Sequence, residues 1–120
     1  MLYVADFGNH RIQRFHPIGN VTGETVACNG AQGISLYQLS NPTSLAIDVN
    51  AQKLFVAEAG TFRVASWNLK NYTEGGTCII GCSESEIGIF SYGLTFHSHG
   101  SLFLVHGNEN RIRKFNPPPT

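Results

Sequence analysis

Apolar residues along this chain come in short runs and alternations, not at helical spacing. Residues 2–5 (LYVA), 54–57 (LFVA) and 102–105 (LFLV) are nearly continuous apolar runs, the pattern of strands buried on both faces. Residues 11–15 (RIQRF), 63–67 (RVASW) and 111–115 (RIRKF) alternate polar and apolar, as half-buried strands do. Each pair is joined by turn-forming residues: DFGNH at 6–10, EAGTF at 58–62 and HGNEN at 106–110. Two further alternating segments, SLAIDVN at 44–50 and GLTFHSH at 93–99, precede the second and third of these pairs. The best helical candidate, ISLYQL at 34–39, is one or two turns long and lies in a loop.

These segments repeat. Residues 2–15, 54–67 and 102–115 align without a gap, at offsets of 52 and then 48. Leu2, Leu54 and Leu102 coincide, as do Arg11, Arg63 and Arg111, and Phe15, Trp67 and Phe115. A period near 50 that holds four antiparallel strands, A to D, is the signature of a propeller blade. The complete unit places A near 43–49, B near 53–58, C near 62–68 and D near 76–81. Before it come B at 2–6, C at 10–15 and D at 24–28; after it come A at 92–97, B at 101–106 and C at 110–116. The expected fold is all-β. Residues 1–28 form an incomplete first blade, 29–42 a D–A loop and 43–82 a complete blade. Residues 83–91 form a second D–A loop, 92–116 an incomplete third blade and 117–120 a Pro-rich tail.

Composition narrows the function classes. Eight basic and eight acidic side chains give a formal net charge of zero, which argues against a nucleic-acid binder, since phosphate contacts need excess Lys and Arg. Arg111, Arg113 and Lys114 cluster, but Glu109 sits among them. A hydrophobic content of 42% against 13% charged argues against disorder. No apolar run approaches the ~20 residues of a membrane span. Asp6, Asn9, His10, Arg11 and Arg14 make the first residues unlike a signal peptide.

The segment YVADFGNHRIQRF (3–15) resembles the core of an NHL repeat, in which a Val-Ala-Asp strand end meets an Asn-His-Arg-Ile turn. QLSNPTSLAIDVNAQKLFVAE (38–58) is similar to the segment that precedes it. The second copy departs with Glu58 for Asp and Thr61-Phe62 for Asn-His; the third has His106 and Glu109-Asn110 at those places. The resemblance implies an NHL-type β-propeller, of which the chain covers about two and a half blades. It implies a binding platform more often than an enzyme, and fold alone does not fix function. A closed ring needs at least four blades, or roughly 160–200 residues. The expectation is therefore a partial propeller, completed by further blades in a longer chain or by self-association.

In such a unit the B–C and D–A loops share one face. The B–C loops fall at 7–9, 59–61 and 107–109; the D–A loops, at 29–41 and 82–91, are the longest. That face carries the binding candidates Phe7, Tyr37, Ile87 and Phe90, with Ile89 beside them. The plain alternative is that Tyr37, Ile89 and Phe90 tuck between blades as loop anchors. Asp6 and Glu58 end strand B and Arg11 and Arg63 begin strand C, so an intra-blade ion pair bracing each B–C loop is expected; His106 and Arg111 hold the same places in the third copy. Arg11→Ala should then destabilise the fold, whereas a loss of binding alone would make these Arg a binding ladder.

Asn20-Val21-Thr22 and Asn71-Tyr72-Thr73 are N-glycosylation candidates in C–D turns; Asn41-Pro42-Thr43 is excluded by its Pro. Of three cysteines, Cys28 stands apart, and Cys78 and Cys82 lie about 13 Å apart along a straight strand, beyond disulfide reach unless the chain turns at Gly81. The resemblance raises the bridge, because extracellular NHL proteins often pair cysteines at the end of strand D; three reduced, buried thiols are the alternative. The sequons and cysteines lean towards an extracellular, secreted setting. His97-Ser98-His99 has strand-face spacing, but alignment puts His97 at the Asp48 position and His99 in a turn, and no three histidines converge by register. No metal, cofactor or catalytic set is therefore assigned. The expected function is a non-catalytic scaffold that binds a protein, peptide or glycan, with a metal-dependent propeller enzyme of amidating-lyase or lactonase-like type as the alternative.

Overall fold

The computed structural model describes residues 1–19, 22–27, 33, 35–82, 91, 93–97, 100–107 and 111–115. It is all-β: among the described residues the only helical segments are 3₁₀ turns at Phe7–Asn9 and Tyr72–Glu74. Ten strands follow in chain order among the described residues: β1 Leu2–Asp6, β2 Arg11–Phe15, β3 Glu24–Val26, β4 Pro42–Asp48, β5 Lys53–Glu58, β6 Arg63–Asn68, β7 Gly76–Ile80, β8 Leu94–Phe96, β9 Leu102–His106 and β10 Arg111–Phe115. They build three antiparallel sheets, ordered β1-β2-β3, β4-β5-β6-β7 and β10-β9-β8, and none of the three closes on itself. No helix among the described residues is long and apolar enough to cross a membrane. Residues 35–38 form a turn closed by the Gln38 amide on the Ser35 carbonyl at 3.2 Å, not a helix.

The sheets lie side by side, with β1 against β4 and β4 against β8. The side-chain alternation of a strand therefore sends two sets of residues from the middle sheet to two different neighbours. Leu54, Val56, Ala65 and Trp67 pack with Leu45 and Ile47 against Tyr3, Ala5, Ile12 and Val26 of the first sheet. Ala46, Phe55, Ala57 and Val64 pack against Leu94, Phe96, Leu102 and Leu104 of the third. Phe55 stacks on Phe96, with ring centroids 5.6 Å apart. This explains why LFVA is apolar at every position: both faces of β5 are interior. Full burial of each such Leu, Val or Phe is worth about 1.5–3 kcal/mol.

The repeat is also a repeat of contacts. Tyr3 and Ala5 face the middle sheet, just as their equivalents Phe55 and Ala57 face the third. Leu102 and Leu104 of the third sheet face back to the middle one, as Leu54 and Val56 face back to the first. Each sheet thus packs its neighbour in the same sense.

Candidate binding face

The three strand pairs β1–β2, β5–β6 and β9–β10 share one register. In each, the last residue of one strand lies directly opposite the first residue of the next: Asp6 with Arg11, Glu58 with Arg63, His106 with Arg111. The residue before the Arg is left-handed in the two described turns, His10 at φ 53° and Phe62 at φ 54°. That conformation is disfavoured for a side-chain-bearing residue, so both are held by surrounding contacts.

The two described pairs differ in setting. Arg11 Nε donates to Asp6 at 2.8 Å, and Asn9 Nδ2 donates to both Asp6 oxygens at 3.0 and 3.1 Å. Arg11 and Asn9 together hold the Asp6 carboxyl below its ordinary value of 3.8. This pair is open to solvent. In the middle sheet, Arg63 Nε donates to Glu58 Oε2 at 2.6 Å and Nη2 to Oε1 at 3.3 Å, and the Ser40 amide donates to Oε1 at 2.9 Å. Here the side chains are 8% and 0% exposed. Burial pushes the Glu58 carboxyl above its ordinary 4.5, against the opposing pull of Arg63 and the Ser40 amide.

The burial comes from a strap formed by residues 35–40. Arg63 Nη2 also donates to the Ser35 and Gln38 carbonyls at 2.9 and 3.0 Å, and Leu39 plugs the cluster between the first and middle sheets. Ser40 and Asn41 then tie both described hairpins together. The Ala59 and Gly60 amides donate to the Asn41 and Ser40 carbonyls at 2.8 and 3.1 Å. On the other side, the Asn41 amide donates to His10 Nδ1 at 3.0 Å and Asn41 Nδ2 to the Phe7 carbonyl at 3.3 Å. The two connections are therefore neighbours at one end of the sheets. No protein-family model matches the chain, and no curated protein matches it.

On these pinned connections two aromatic side chains stand out to solvent: Phe7 at 51% and Phe62 at 49% exposure. The sequence singled out Phe7 but missed Phe62, Ser40 and Asn41. Phe62 read only as a departure from the repeat, and Asn41 only as a disqualified sequon. Tyr37 is exposed but does not join Phe7. The Leu36 carbonyl accepts from the Gly76 amide at 2.5 Å, and the Tyr37 ring lies against Gly75, at the connection between β6 and β7. The strap runs along the sheet towards its other end, and so carries Tyr37 away from the loop face and leaves it exposed, not tucked between sheets. Ile87, Ile89 and Phe90 lie outside the described residues, as do Asn20 and Cys28.

Cys78 and Cys82 are at disulfide distance, with Cα atoms 5.7 Å apart. Two departures from a straight strand bring them together. The register slips between Val64–Ile80 and Ala65–Cys78, leaving Ile79 as an extra residue, and Gly81 then turns at φ +75°. A β-carbon at Gly81 would sit 2.4 Å from the Phe62 carbonyl oxygen, so the position accepts only glycine and lays the end of β7 beside the β5–β6 connection. This geometry fits the bridge at 78 and 82 that the resemblance implied. Asn71 is exposed; its Nδ2 donates to Glu74 at 2.7 Å and its Oδ1 accepts from Thr73 at 2.6 Å. Among the described residues, no three His, Cys, Asp or Glu side chains gather as a metal site.

Proposed function

We propose that the chain is part of an NHL-type β-propeller and acts as a non-catalytic interaction scaffold, binding a protein, peptide or glycan through the face of its B–C and D–A loops. The observation that carries this reading is the pair Phe7 and Phe62, exposed at one end of adjacent sheets on connections fixed by Asn41, His10, Ser40 and the Glu58–Arg63 pair. Aromatic side chains are common anchors of recognition, and a backbone ordered before binding loses little entropy on complex formation. The matching sheet-to-sheet contacts support the blade assignment. The test is selection of a phage-displayed random-peptide library and screening of a glycan array with the purified chain. Binders should be enriched and then lost on Phe7→Ser and Phe62→Ser. Failure of both screens, or binders indifferent to both substitutions, would refute the reading.

A further inference from the structure

The connection that carries Phe62 has a support that its counterpart in the first sheet lacks. Phe62 holds a left-handed backbone, φ 54°, which is unfavourable for a residue with a side chain. The turn at Gly81 runs directly beside it: a β-carbon there would meet the Phe62 carbonyl oxygen at 2.4 Å and the Arg63 Cα at 3.2 Å. Gly81 lies inside the short loop that a Cys78–Cys82 bridge closes. His10, at the same place in the first hairpin, has the same backbone at φ 53°, but its support is the Asn41 amide on its Nδ1. The two sulfurs of the bridge also differ in access. Cys82 is exposed, whereas Cys78 is half-buried and its Sγ lies 3.6 Å from the Ile80 carbonyl oxygen. A thiol at Cys78 would have that carbonyl as its acceptor. Opening the bridge therefore leaves Cys78 in place and lets Cys82 part from β7.

We propose that Cys78–Cys82 is a reducible latch that holds Phe62 on the loop face. The thiolate of a dithiol reductant attacks the exposed Cys82 Sγ; the bond to Cys78 breaks, a mixed disulfide forms at Cys82, and Cys78 leaves as a thiolate that takes up a proton. The second thiol of the reductant then displaces Cys82. Two electrons and two protons pass to the protein as two thiols, and the reductant becomes a disulfide. Without the bridge the Gly81 turn is no longer closed on β7, and the unfavourable Phe62 backbone loses the wall against which it rests. Phe62 then moves, while Phe7 on the first hairpin stays. Reduction thus removes one of two aromatic anchors, and oxidation restores it. The movement of Phe62 rests on the geometry alone; its effect on recognition rests on the reading of this face as a binding surface.

The test is hydrogen exchange, read by mass spectrometry on the folded chain before and after dithiothreitol, with thiol labelling to follow the bridge. On reduction, exchange at residues 61–63 should rise about tenfold, the change that loss of support for one unfavourable backbone conformation gives. Residues 7–11 and β5 should keep their rates, and the fluorescence of buried Trp67 should not change. The double variant Cys78→Ser, Cys82→Ser should exchange fast at 61–63 from the outset and ignore the reductant. Four results would overturn the proposal: a pair that does not bridge on mild oxidation, a bridge that dithiothreitol cannot open in the folded protein, unchanged exchange at 61–63, or an equal rise at 7–11 or in β5. The last would show a loss of stability of the whole fold, not a latch. Peptide and glycan screening separates the two readings. If exchange responds as stated and nothing binds, the loop-face reading fails and the latch stands; if binders are found and exchange does not respond, the latch fails and that reading stands.

Discussion

Replacing Arg63 by alanine leaves the Glu58 carboxylate in a site where its side chain is 0% exposed and its remaining described donor is the Ser40 amide. Removing one partner of a buried ion pair costs about 3–5 kcal/mol, because the other charge stays desolvated. The same substitution releases the Ser35 and Gln38 carbonyls, and with them the strap that covers the pair. Against a total stability of about 5–15 kcal/mol, the loss is a large fraction of the whole. Urea unfolding followed by the fluorescence of Trp67, the chain's one tryptophan and a buried residue, reads it directly. With a urea dependence of about 1–3 kcal/mol per molar, the midpoint should fall by about 2 M. Arg11→Ala, in the equivalent but solvent-exposed pair, should move the midpoint little.

Two controls separate this explanation from a general loss of packing. Adding Glu58→Gln to Arg63→Ala removes the stranded charge and should recover part of the stability. In the Arg63→Ala protein the folded-state pKa of Glu58 lies above its unfolded value. The folded state then binds the extra proton, so the deficit should shrink as pH falls through that window and grow as pH rises through it. If Arg63→Ala is no worse than Arg11→Ala, or the double variant is no better than the single, the buried-charge argument is wrong.

Other consequences follow from the same geometry. Reduction, or Cys82→Ser, should cost about 2 kcal/mol through release of the short loop closed by Cys78 and Cys82; identical urea midpoints with and without reductant would contradict the pairing. Asp6 is held low by Arg11 and Asn9, and Glu24 by Arg14, so their stabilising contribution is present above the ordinary values of 3.8 and 4.5 and disappears as pH falls. Asp6→Asn with Glu24→Gln should therefore flatten the acid limb of a melting-temperature profile, and an unchanged limb would count against both pairs. Expression through a secretory pathway should add a glycan at the exposed Asn71, visible as a gel shift lost in Asn71→Gln; equal mobility of the two proteins would show that the site goes unused.

Much of the local structure was legible in the residues. The short apolar runs bounded by turn residues placed β5 at Lys53–Glu58 and β1 at Leu2–Asp6 without adjustment, because run length and turn chemistry are properties of the chain itself. The facing of an acid and an Arg across the first two of these hairpins was equally local, set by the length of the turn between them. Neighbours decided the rest. Asp6–Arg11 and Glu58–Arg63 are the same pair by sequence, yet one is open to solvent and the other is sealed by residues 35–40, which come from outside the hairpin. The same strap carried Tyr37 away from the loops to which sequence order assigned it. The approach of Cys82 to Cys78 needed a bulge at Ile79 that no spacing rule announced. Leu2, Leu54 and Leu102 show the division most simply. All three are the same residue at the same repeat position, but Leu54 and Leu102 are fully buried while Leu2 stands in solvent. Sequence determines which side of its strand a leucine occupies, and only the presence of an adjacent sheet determines whether that side is an interior.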